Sequence, residues 1–125
     1  MNNMKNDIIK LIIPSKPDYI SVARLTSSAI ANKMGLCIDD IEDIKVSIAE
    51  ACINALNKAN QIDIIFKVQE DKLVMEVENV YPSKHGEDID KEIELGILII
   101  KSLMDEVNFT DKGVEMIKYI EDGNK

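Results

Sequence analysis

The chain has 125 residues, 46% apolar and 30% charged, with a net charge of −8; this is enough for one globular domain and is not the composition of a disordered segment. Aromatic residues make up only 4% and none is Trp, so the core must be aliphatic. The acidic balance argues against direct binding to nucleic-acid phosphates or anionic membrane surfaces and suits either a basic protein partner or plain solubility.

Residues 8–14, IIKLIIP, read as a first strand stopped by Pro14 and Pro17. Asp18 is the expected N-cap of a helix that runs to about Met34, with Val22, Leu25, Ala29 and Ile30 at helical spacing and Gly35 as its stop. A second helix opens at Asp39-Asp40, where acids suit the helix dipole, and runs to about Ala59. Its central apolar stripe is Ile41, Ile44, Ile48, Ala51 and Ala55. Residues 61–69 and 73–80 form a strand hairpin around Glu70-Asp71, with Ile62, Ile64, Phe66 and Val68 on one face. The polar segment 81–92 reads as a loop. A short apolar helix follows from Ile93 to about Asp105, then strands at 106–110 and 114–120 around Asp111-Lys112-Gly113, and a frayed tail. The order β-α-α-β-β-loop-α-β-β predicts a single α+β domain over 1–125. It is a two-layer sandwich with helices on one face of a mostly antiparallel sheet.

Two cysteines, Cys37 and Cys52, with no CxxC pair, and the lone His85 make no metal site, and they fit a reducing cytoplasm. The apolar run at 8–13, broken by Lys10, is too short for a signal peptide or a membrane span. Cys52 reads as a small core residue, and Lys84 and His85 as part of a solvated loop.

The most informative stretch is 46–56, VSIAEACINAL, whose three polar residues Ser47, Glu50 and Asn54 share one side of a helix otherwise built for burial. Asn57 extends that line. A carboxylate in such a place needs a partner or a site, because an unpaired buried charge costs several kcal/mol. Glu50 suits a general base or a water-orienting carboxylate. Asn54 offers a carbonyl oxygen suited to Mg²⁺ already bound to phosphates, a pairing that serves phosphoryl transfer. The alternative is a polar stripe paired internally, with Lys58 or with the loop.

These residues resemble a known family. DIKVSIAEACINALNKAN (43–60) is similar to the N-box of the GHKL superfamily of gyrases, heat-shock chaperones and histidine kinases, and most of all to the small anti-sigma-factor serine kinases of Gram-positive bacteria. LGILIIKSLMDEVNF (95–109) resembles their G2 region, and GVEMIKYI (113–120) their closing strand. The resemblance covers most of the chain and implies the histidine kinase-like ATPase fold. It also implies ATP and Mg²⁺ as cofactors, a sigma factor and an anti-anti-sigma protein as partners, and a homodimer. By position Glu50 matches the catalytic carboxylate and Asn54 the Mg²⁺-coordinating, nucleotide-binding asparagine.

Three positions depart from that pattern. In EVENVYP (76–82) the family's adenine-binding Asp is Asn79 and the following Gly is Tyr81. Asn79 can still accept from the adenine amino group, without the charge-assisted bond of a carboxylate, or it is an ordinary turn former. In the G2 turn, Glu94 stands where the first glycine belongs, and Gly96 is either the remnant of the phosphate turn or a helix-start residue. The loop at 81–92 is short for a phosphate-cradling lid. The resemblance thus implies an anti-sigma-factor-like serine kinase with Glu50 as the catalytic residue and Asn54, Asn79 and Gly96 on the nucleotide. Its rivals are a pseudokinase that binds partners with no cofactor, and a binding module holding another ligand in the old nucleotide pocket.

Overall fold

A computed structural model describes residues 6–83 and 90–120. Its elements run β1 Asn6–Pro14, a 3-10 turn Pro17–Tyr19, α1 Ile20–Lys33, α2 Ile38–Ala55, β2 Gln61–Gln69, β3 Lys72–Glu78, α3 Lys91–Leu103, β4 Glu106–Phe109 and β5 Gly113–Tyr119. The five strands form one sheet in the order β1-β2-β3-β5-β4, every neighbouring pair antiparallel. This is the expected two-layer α+β arrangement. The expected loop lies partly, at 84–89, outside the described residues, as does the tail at 121–125.

Side chains alternate across a strand, so the register places whole rows of apolar residues under the helices. One row runs Ile9, Phe66, Met75, Met116, Val107 across all five strands, and the next runs Leu11, Ile64, Val77, Val114, Phe109. Ile44, Ile48, Ala51 and Ala55 of α2 pack on them and are buried, as the stripe predicts. The opposite sheet face leaves Ile8 and Ile12 exposed.

The helix ends depart from expectation for local reasons. Asp18 does not cap α1. Pro17 opens a 3-10 turn in which Ile20 donates to the Pro17 carbonyl, so the cap falls on Tyr19 with no side-chain bond. Gly35 does stop α1, at φ +85, with Gly35 N donating to Asn32 O and Leu36 N to Ala31 O, a Schellman closure. α2 stops at Ala55 rather than Ala59 because Leu56 turns to ψ 140 and Asn57 to φ +67. Asn57 N is then taken by Ser15 Oγ at 2.9 Å. α3 begins two residues early, at Lys91, because Asp90 Oδ1 accepts from Glu92 N at 2.9 Å and Ile93 N at 3.2 Å.

Lys118 occupies a core-facing position, opposite Leu73. Its ammonium donates to the Leu103 carbonyl at the end of α3 (2.6 Å) and lies 3.5 Å from Asp43, 3.8 Å from Asp40 and 4.0 Å from Asp105. One buried cation therefore ties β5 to the N-terminus of α2 and the C-terminus of α3. Lys118→Met should lower stability by about 2 kcal/mol in a urea titration, because it strands a carbonyl and three carboxylates that are themselves partly solvated.

Cys52 is buried in the core and burial pushes its thiol up to about 12, whereas Cys37 is exposed. The thiolate is the reactive form, so iodoacetamide in mildly alkaline buffer should label Cys37 and leave Cys52 untouched until the protein is unfolded, as read by peptide mass spectrometry.

Candidate functional site

The polar stripe of α2 splits into three environments. Ser47 is fully buried, and its hydroxyl has no partner among the described residues. Glu50 is half-buried and faces α3. Asn54 is buried at 7% exposure, and both ends of its amide are hydrogen-bonded.

Asn54 reads both sides of one peptide backbone. Its Nδ2 donates to Tyr81 O at 3.1 Å, and its Oδ1 accepts from Tyr81 N at 3.3 Å. The same Oδ1 accepts from Lys58 Nζ at 2.7 Å. Lys58 also donates to the Asn79 carbonyl at 3.0 Å, and its ammonium stands 5.7 Å from the Tyr81 ring centroid. Burial pulls the Lys58 ammonium below the ordinary lysine value. So the internal pairing with Lys58 and with the loop exists for Asn54. Glu50 makes no such bond among the described residues.

Glu50, Asn54 and Gly96 meet in one cleft of about 290 Å³ between α2 and α3, with Lys58, Asp90, Glu92 and Ile93 also on its walls. Asn79 does not line it and is joined to it through Lys58. Asn79 sits just past β3 at φ +66, a conformation Asn tolerates, with its N donating to Lys112 O at 2.8 Å. Its side-chain amide is engaged by none of the described residues. Tyr81 turns away from the cleft and donates its hydroxyl to Asp111 O at 2.7 Å, so it does not fill the space beside Glu50.

Gly96 lies inside α3 rather than in a turn that opens it. A Cβ there would come within 2.8 Å of Glu50 Oε1. The missing side chain is what gives the Glu50 carboxylate its place against α3.

Comparison with known proteins places the chain in a family. The sequence profile described as "Histidine kinase-like ATPase domain" matches residues 13–118, nearly the whole described structure. The chain belongs to the histidine kinase-like ATPase family. It is similar to the serine-protein kinase RsbW of Bacillus cereus (strain B4264), with 38% identity over 136 residues that cover 90% of this chain and 85% of the relative. RsbW of Bacillus mycoides (strain KBAB4) is 37% identical over 140 residues, covering 94% and 88%. RsbW of Bacillus subtilis (strain 168) is 34% identical over 143 residues, covering 94% and 89%. The resemblance drawn from the N-box and the segment at 95–109 therefore extends along most of the chain.

The family implies a nucleotide and a metal, and the residues fit the two unequally. For the nucleotide, the cleft between α2 and α3 is open, and the uncommitted Asn79 amide lies outside its lining. For the metal the fit fails. The oxygen expected to hold it, Asn54 Oδ1, already accepts two hydrogen bonds, one from an ammonium. A second cation on that oxygen meets like-charge repulsion of about 4 kcal/mol per pair of unit charges at about 4 Å near a protein surface. No group of three or more His, Cys, Asp or Glu among the described residues could hold a metal ion instead.

Sequence reasoning missed Asp90 and Glu92 as cleft walls, because the helix was expected to start at Ile93. An Asp followed by acids in the first turn was the available signal. Lys84 and His85 lie outside the described residues. No helix among the described residues is long and apolar enough to cross a membrane.

Gly96→Ala should separate stability from function. The atom it displaces is the free end of a flexible side chain, and Ala favours a helix over Gly by up to about 1 kcal/mol. Stability in urea should therefore hold or rise, while any cleft activity that depends on Glu50 falls.

Proposed function

We propose that this protein is an anti-sigma-factor-type regulator of the serine-protein kinase class. It binds a sigma factor and an anti-anti-sigma protein, and takes ATP in the cleft between α2 and α3. The observation that carries the reading is the convergence of Glu50, Asn54 and Gly96 on that one cleft, in a chain similar along most of its length to serine-protein kinases. When bound, ATP supplies the transferable phosphoryl group. Glu50 accepts the proton of the acceptor serine hydroxyl, and the missing side chain at Gly96 leaves room for its carboxylate in the cleft. Asn54 holds the exit of β3 through the backbone of Tyr81, and Asn79, which Lys58 joins to the cleft, meets the adenine amino group.

A second reading is favoured by one observation, the saturated carbonyl of Asn54. It keeps the fold and the protein partners and drops phosphoryl transfer.

Incubation with labelled ATP and a serine-bearing anti-anti-sigma protein separates the two. The kinase reading expects phosphoserine on the partner, and Glu50→Gln should cut the rate about 100-fold or more while circular dichroism shows the fold retained. Absence of phosphoserine together with stable partner complexes would leave the second reading standing.

A further inference from the structure

Lys58 stands on a boundary between two differently charged spaces. On one side is the cleft lined by Glu50, Asp90 and Glu92, three carboxylates with Lys58 as the only lysine among the described residues on its walls. On the other is an adjoining hollow of about 500 Å³ lined by Ser15, Lys16, Asn57, Lys58, Ala59 and Asn60, with two lysines and no carboxylate. A phosphate entering from the cleft finds like charge on the first side and opposite charge on the second.

Lys58 is exposed, but its ammonium is tethered. Two of its three protons are committed, to Asn54 Oδ1 at 2.7 Å and Asn79 O at 3.0 Å. A lysine ammonium has three donors and no acceptor, so one remains for a ligand. The acceptors that anchor it are the oxygen a divalent ion would need and the carbonyl of the residue expected to meet the base.

We infer that Lys58 is the resident cation of this site. It takes the place of a divalent metal on Asn54 and receives the phosphate of a nucleotide directly, with the phosphate chain running over Lys58 towards Lys16. The site then binds a phosphate-bearing ligand without magnesium. This rests on the nucleotide reading above and departs from its metal requirement.

Calorimetric titration of the full chain with ATP, once in EDTA and once in magnesium, tests it. Binding should be equally tight in both buffers. Lys58→Met should weaken it about tenfold or more in both, Lys58→Arg should retain it, and Lys16→Met should weaken it less than Lys58→Met. Binding that requires magnesium overturns the inference and leaves the nucleotide reading intact, as does Lys58→Met binding like the wild type. Failure of ATP to bind in either buffer overturns both. A second measurement does not depend on a folded variant. The Asn54 side-chain amide resonances of the wild type should stay in place when magnesium is added without nucleotide, and their movement would count against Lys58 as the occupant.

Discussion

The side chain of Asn54 is the contact on which the site depends. It binds the N–H and the C=O of Tyr81 together, a pairing that fixes both the position and the orientation of the chain leaving β3. A buried amide left unpaired is costly, so its three bonds hold or fail together. Through them the last full turn of α2 is locked to the strand exit, and Lys58, just past the end of α2, bridges Asn54 to the Asn79 carbonyl. The early end of α2 at Ala55 and the left-handed Asn57 belong to the same arrangement.

α2 is tethered at its other end by a different kind of bond. Asp40 and Asp43 in its opening turns face the buried ammonium of Lys118, which also holds the last carbonyl of α3. An amide-centred network with one ammonium fixes one end and an ion cluster the other, with Glu50 between them. The helix that carries Glu50 is thus pinned at both ends, and the facing helix leaves room for the carboxylate because residue 96 is glycine.

The layers of the fold were legible in the sequence because strand and helix periods differ so clearly. The alternation in 61–69 and the Ile44, Ile48, Ala51, Ala55 stripe each point to one buried face, and those faces meet. The boundaries were less legible, because tertiary partners set them. Nothing local to Asn57 says that Ser15, forty-two positions away, will take its N–H. The candidate site was half legible. A carboxylate and an amide one turn apart mark a place where chemistry or pairing must occur, but choosing between these for Asn54 required the position of Tyr81. The ion cluster of Lys118 was not legible, because its three acidic neighbours come from two distant segments.

The strand order has a consequence for a chain made from its N-terminus. β5 follows every other described strand in sequence yet lies in the interior of the sheet, between β3 and β4. As the nascent chain emerges, the β1-β2-β3 meander can form early, but the β3 edge keeps its open row of N–H and C=O groups until Gly113–Tyr119 arrives to cover it. Unpaired strand edges are templates for association between chains. During synthesis the risk of misassembly is therefore concentrated on β3, and the late arrival of β5 both closes that edge and delivers Lys118 to the helices.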